Sequence, residues 1–277
     1  MNFTEDEIAT VAQVLRDAAQ TEVLPRFRDL AASGVRQKSS ELDLVTDADV
    51  AAEARITAQL AAAFPGAVVV GEEATARDPA VLDGLADAGL AFIVDPIDGT
   101  KNFASGLPLF ALMVGVLRRG RAVAGVIYDP MGDDYAAGID GGGAWIERPD
   151  GRRRPLAVAR ARPVGEMLGI VSWLFMAEPL RSTVTANLSR TAGAVDYRTA
   201  AHEYRLVAGG HYDFVLFGKL APWDHVAGCL IHREAGGHSA CLDGSPYGIG
   251  SRSDGLLCAP DEGSWMRLRE ALVGAAG

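Results

Sequence analysis

Cysteine is scarce in this 277-residue chain: Cys229, Cys241 and Cys258 are the only three. An odd, widely spaced set makes no disulfide framework and holds no zinc spacing, so reduced buried thiols of a cytoplasmic protein are expected. No apolar run approaches the ~18 residues of a membrane span. The opening Met1-Asn2-Phe3-Thr4-Glu5-Asp6-Glu7 is acidic, unlike a secretory signal. Basic excess is missing as well. With 36 acidic and 26 basic residues the net charge is −10, the wrong sign for gripping a nucleic-acid polymer. There is no P-loop. In His202-Glu203-Tyr204-Arg205-Leu206 a leucine stands where a zinc protease needs its second histidine, and Gly141-Gly142-Gly143 precedes no helix and reads as a turn. What remains is an ordinary globular balance, 49% hydrophobic and 22% charged, long enough to bury a large core. The expected partner is a small molecule, with neither nucleic-acid polymer nor membrane.

Thr4-x-x-Glu7 is a capping box, and Ile8, Val11, Leu15 and Ala18 keep helical spacing after it, so a helix is expected to about Leu30, closed by Ser33-Gly34. Leu42 to Thr46 reads as a short strand and Asp47 to Ala63 as a second helix, stopped by Pro65-Gly66. A strand at Val68-Val69-Val70 is followed by a mobile-looking stretch from Thr75 to Gly89. Phe110–Leu117, Arg121–Tyr128, Asp134–Ile139 and Gly143–Glu147 alternate with glycine-rich turns as a β-meander. The arginine-rich segment Arg148–Pro155 is the expected boundary between residues 1–150 and 151–277. Beyond it, strands at Leu168–Trp173, Phe214–Phe217 and Leu256–Cys258 alternate with helices near Pro179–Arg190, Thr199–Gly209 and Asp224–Glu234, an α/β pattern.

Asp95-Pro96-Ile97-Asp98-Gly99-Thr100 carries the chemistry. It follows the buried-strand run Leu90–Val94, and Pro96, lacking a donor, forbids a simple continuation. Gly99-Thr100 can open a helix with Thr100 as its cap, leaving two carboxylates beside backbone N–H groups suited to an anion. Hard cations such as Mg²⁺ take carboxylate oxygens and share their shell with substrate phosphate, so this reads as a metal-assisted phosphate site. Val70-Gly71-Glu72-Glu73 is a second apolar run ending in acids, and Pro222-Trp223-Asp224-His225 places another acid before a helical stretch.

The ordered set Gly-Glu-Glu, Asp-Pro-Ile-Asp-Gly-Thr-Lys-Asn-Phe and Trp-Asp, with Glu234-Ala235-Gly236-Gly237 after it, resembles the inositol monophosphatase family of Mg²⁺-dependent phosphomonoesterases. The resemblance implies a layered αβαβα sandwich of two tightly packed subdomains. It implies a first Mg²⁺ on Glu72, Asp95 and the Ile97 carbonyl, and a second on Asp95, Asp98 and Asp224. Glu72, helped by Glu73, would touch a third, giving two to three ions per site. Gly99 and Thr100 N–H groups would take phosphate oxygens. It further implies Asp49, paired with Thr100, as the base for a metal-activated water, with Glu72 assisting, and it carries expectations of a homodimer and of Li⁺ inhibition. Asp47 is an extra acid two residues from Asp49, read as helix N-terminal charge with Thr46 as cap. Lys38 stands where family members often carry a lysine. Asp47-x-Asp49 also mimics the opening of haloacid-dehalogenase-like phosphatases, but that motif belongs at a strand end, not on a helix.

In the family a segment matching Arg198-Thr199-Ala200-Ala201 faces the alcohol part of the substrate. Inositol phosphatases carry small residues there and a glutamate downstream; this chain has Arg198, and Phe217 falls near the glutamate. The expected substrate is a small phosphorylated polyol, sugar or amino alcohol. Inositol 1-phosphate, histidinol phosphate, fructose 1,6-bisphosphate and 3'-phosphoadenosine 5'-phosphate all stay open, as does a non-catalytic metal-binding role. His225 is read as structural and Trp223 as packing beneath the acids.

Overall fold

The computed structural model describes residues 3–29, 34–40 and 43–274. Residues Ile8, Val11, Val14, Leu15 and Ala18 give α1 (Glu5–Ala18) a buried stripe, and the Thr4–Glu7 capping box closes in both directions. The helix stops short of its expected length. It passes through a π turn at Ala19–Val23 into a 3₁₀ turn at Leu24–Arg26, because the ring of Pro25 crowds the preceding turn and its nitrogen donates nothing. Leu30, Ser33 and Leu42 lie outside the described residues. β1 (Arg36–Ser40) and β2 (Asp43–Val45) form a hairpin leading into α2 (Asp47–Ala63).

A seven-stranded sheet follows in chain order: β3 (Val68–Gly71), β4 (Ala91–Asp98), β5 (Ala111–Arg118), β6 (Arg121–Asp129), β7 (Asp134–Ile139), β8 (Gly143–Glu147) and β9 (Arg153–Pro155). Only β3 and β4 are parallel; β5 to β8 form the expected meander, flanked by antiparallel β4 on one side and, within the segment expected as a boundary, β9 on the other. β4 does continue past Pro96. Asp95 pairs with Met113 and Asp98 with Ala111, so one extra residue sits in a bulge where proline needs no ladder donor. The stretch expected to be mobile instead holds α3 (Glu72–Arg77), a 3₁₀ turn at Pro79–Leu82 and the fully buried Leu85.

The second sheet takes the order β11 (Gly193–Val195), β10 (Leu168–Val171), β12 (Phe214–Phe217), β14 (Leu256–Ala259), β13 (His238–Cys241). Its helices are α5 (Leu180–Asn187), α6 (Ala200–Ala208), α7 (Pro222–Glu234) and α8 (Glu262–Val273). Core contacts define five layers. α1 and α2 cover one face of the large sheet through residues such as Leu15, Ile56, Val94 and Val126. α6 and α7 fill the space between the sheets through Tyr204, Ala227 and Ile231, against Met113, Ile127, Val215 and Cys258. α5 and α8 cover the outer face of the small sheet through Val184, Trp265 and Leu268. This is the expected αβαβα sandwich, an α/β fold. Among the described residues no helix is long and apolar enough to cross a membrane.

One row of the large sheet has no side chains. Gly115, Gly125 and Gly138 are cross-strand partners, and α7 lies on them. A Cβ at Gly125 would stand 2.7 Å from the Ala227 carbonyl oxygen, and one at Gly115 would stand 2.5 Å from the Val226 side chain.

Candidate active site

In a regular strand, residues three apart point to opposite faces. The extra residue at Pro96 cancels that alternation, so Asp95 and Asp98 turn to one side at the end of β4. Asp224, in the first turn of α7, meets them: carboxylate oxygens of Asp95, Asp98 and Asp224 lie within 4.8 Å of one another. Asp95 Oδ1 accepts the Ile97 N–H at 3.1 Å. Asp98 anchors the start of α6, accepting from Thr199 Oγ1 at 2.5 Å and from the Ala200 and Ala201 N–H groups at 3.2 and 2.8 Å. Gly99 makes the turn after Asp98 with φ +87°, where a Cβ would stand 2.8 Å from the Leu109 carbonyl oxygen. Thr100 is therefore the first residue of α4 (Thr100–Ala104), and Gly99 occupies the cap position expected of the threonine.

Glu72 opens α3 and lines the same pocket as the three aspartates. It is positioned by a residue the sequence reading passed over. Glu53 of α2 is buried; its Oε2 accepts the Glu73 N–H at 2.7 Å and its Oε1 the Ala74 N–H at 2.9 Å, capping α3 from outside. Gly71 leaves the room, since a Cβ there would stand 2.1 Å from Glu53 Oε2. Glu73 is buried and does not line the pocket.

Asp49, buried at the start of α2, reaches the pocket through Thr100. Its Oδ2 accepts both the Thr46 N–H, at 2.8 Å, and the Thr46 hydroxyl, at 2.5 Å, forming a capping box. Its Oδ1 accepts the Thr100 hydroxyl at 3.1 Å, and that hydroxyl also faces the Ile97 carbonyl at 2.9 Å. Asp47 turns away to pair with Arg36 at 2.5 Å on the surface. The side chain of Lys38 lies outside the described residues.

Burial pushes Asp49 and Asp224 up to about 7 and Asp98 up to about 6, and the negative charge of Glu72 adds to all three. Lys219 and a hydrogen bond from Asp95 partly offset the rise at Asp224. Burial, then the charges of Glu72, Asp98, Asp224 and Asp49, hold Asp95 well above the ordinary carboxylate range. So many carboxylates sunk together hold protons unless cations replace them. An all-oxygen donor set of this kind fits hard divalent cations.

The pocket wall also includes Lys101, Ser172, Phe175, Arg198, Phe217 and Lys219. Thr199 and Ala200 line it beside Asp98. His225 reaches the wall but is spoken for: Nε2–H donates to the Lys219 carbonyl at 2.6 Å and Nδ1 accepts the Tyr204 hydroxyl at 3.0 Å. Burial lowers it to about 4, keeping it neutral. Trp223 packs against the cluster of Val70, Ile93 and Val226. Lys219 had no signal beyond its place five residues before Asp224. Glu53 had one, as an acid on the inward face of α2 between Ala52 and Ile56.

A sequence profile described as the inositol monophosphatase family matches residues 4–275. An inositol-1-monophosphatase of Bacillus subtilis (strain 168) is 30% identical over 250 residues, covering 89% of each chain. Nus factor SuhB of Escherichia coli (strain K12) is 33% identical over 205 residues, covering 73% of this chain and 72% of its own. The crystal structure of extragenic suppressor protein suhB from Bartonella henselae superposes with a TM-score of 0.83 at 26% identity, covering 98% of this chain and 100% of that one. The chain belongs to the inositol monophosphatase family.

Proposed function

We propose that this protein is a Mg²⁺-dependent phosphomonoesterase acting on a small phosphorylated polyol, sugar or amino alcohol. The observation that carries the reading is the convergence of Asp95, Asp98 and Asp224 in one pocket that Thr100 also lines, with Asp49 hydrogen-bonded to the Thr100 hydroxyl. Glu72, Asp95, the Ile97 carbonyl, Asp98 and Asp224 would hold two to three ions, with Glu73 buried behind them. Bound Mg²⁺ supplies neutralising charge to the phosphate and acidity to a water.

The chain's own groups do the rest. The first turn of α4 at Gly99, Thr100 and Lys101 opens on the pocket and orients phosphate oxygens. Thr100 Oγ1 accepts a hydrogen from the attacking water while passing its own proton to Asp49 Oδ1. Asp49, buried and oriented by the Thr46 N–H and hydroxyl, presents Oδ1 to take that proton. Thr199, Ala200 and Arg198 border the alcohol side. The same reading carries a homodimer, Li⁺ inhibition and a cytoplasmic setting.

The test is phosphate release from a panel of inositol 1-phosphate, histidinol phosphate, fructose 1,6-bisphosphate and 3'-phosphoadenosine 5'-phosphate, with Mg²⁺ and with chelator. Release that needs Mg²⁺ and favours one member supports the reading. Absence of release from every member favours the non-catalytic alternative.

A further inference from the structure

Arg198 sits in the pocket wall with a backbone few arginines adopt. Its φ is +58°, in the left-handed region, and its N–H donates to Asp196 Oδ1 at 2.9 Å. Nε and Nη2 of its guanidinium are buried, and neither has a hydrogen-bond partner among the described residues. A guanidinium cannot shed its charge, and buried donors without acceptors cost free energy. Asp196 is within electrostatic reach, yet no ion pair joins the two, and Asp196 Oδ2 is itself buried without a hydrogen-bond partner among the described residues.

The surroundings favour an anion from outside the chain. Lys219 lines the same pocket and Phe217 supplies an apolar wall. Glu203, the acid of α6 that reaches the pocket, accepts the Tyr197 N–H through Oε1 at 3.2 Å. The reacting phosphate already has its match at the carboxylate cluster and the start of α4, so the Arg198 fork is surplus to it.

We propose that the substrate carries a second anionic group on its alcohol part, a carboxylate or a second phosphate, and that the Arg198 guanidinium reads it. The inference rests on the phosphomonoesterase reading and names the substrate class. A planar fork of donors suits either anion in two-point contact.

Three non-hydrolysable probes separate the cases by calorimetry in Mg²⁺: propylphosphonate, 3-phosphonopropionate and propane-1,3-diphosphonate. At least one doubly anionic probe is expected to bind about tenfold or more tightly than propylphosphonate, the scale of a charge-assisted hydrogen bond. Which of the two wins distinguishes carboxylate from phosphate. Arg198→Gly suits the left-handed backbone and removes only the side chain. It is expected to bring the ratio to within about twofold, while Arg198→Lys keeps part of it. Equal or undetectable binding of all three, or an Arg198→Gly loss that is the same for all three, would overturn the proposal. Phosphate release from glycerol 3-phosphate and 3-phosphoglycerate, run in parallel, judges the phosphomonoesterase reading separately.

Discussion

Asp49→Asn should separate stability from chemistry in opposite directions. Asp49 is 1% exposed, and burial together with the charges of Glu72 and Glu73 raises its carboxyl from 3.8 to about 7. At pH 8, without cations, its charge therefore costs on the order of 4 kcal/mol relative to the unfolded chain. Asparagine cannot charge. Its carbonyl can still accept from the Thr46 N–H and hydroxyl, while its amide faces Thr100 with one proton poorly placed, a loss of about 1–2 kcal/mol. The gain is larger than the loss. The chelated variant is expected to be about 2 kcal/mol more stable than the parent at pH 8, raising Tm by about 4 °C.

The sign follows from the direction of the shift. A raised carboxyl binds more protons in the folded state, so its penalty is complete above about 7, shrinks as pH falls through that value, and vanishes below 3.8. The advantage of asparagine should disappear at pH 4. Asp49→Ala relieves the same charge but strands the Thr46 N–H and hydroxyl, and should fall about 2 kcal/mol below the asparagine variant. Activity should move the other way, with phosphate release in Mg²⁺ dropping about 10²–10⁴-fold in both. Thermal melts in chelator at pH 8 and pH 4, beside the release assay, decide it. A lower Tm for Asp49→Asn at pH 8 would refute the reasoning.

Asp95→Asn should abolish Mg²⁺-dependent phosphate release by at least about 10³-fold and weaken Mg²⁺ binding in calorimetry, because Asp95 stands at the centre of the acid cluster. Mg²⁺ binding should release protons near neutral pH and weaken as pH falls through about 7 to 6, the values of Asp224 and Asp98 without cations; calorimetry in buffers of different ionisation enthalpy reads both. Glu53→Ala should cost about 2–3 kcal/mol by stranding the buried Glu73 and part-buried Ala74 donors at the start of α3, and should raise the Mg²⁺ requirement through Glu72; melts and a Mg²⁺ titration check it.

Local patterns carried the elements whose partners are near in sequence. The meander from β5 to β8 was legible because each strand pairs with the next across a short turn, and the capping box at Thr4 is closed within three residues. Pro96 misled because proline argues against a strand on propensity, while a bulge removes the objection. The end of α1 misled because Pro25 acts on the helix only through its crowding of the turn before it. At the site, the acids are recognisable as motifs, and the structure brings Asp95, Asp98 and Asp224 together from 126–129 positions apart. The bond from Thr199 to Asp98 spans 101 residues and that from Glu73 to Glu53 spans 20, so no periodicity announces either. β11, β13 and α8 escaped because short or peripheral segments depend on the sheet they complete.

The absent side chains at Gly115, Gly125 and Gly138 form a trench across three strands, and α7 is the keel that sits in it. The depth of that trench decides how near the prow of the keel, with Asp224, comes to the tips of β4. Anyone grafting these acids onto another scaffold would have to carry the three empty positions with them, although none of the three could ever touch a ligand. Alanine at 115 presses first on the Val226 side chain, whereas at 125 it meets the main chain of the helix itself. The seating of Asp224 is thus set by atoms that are not there.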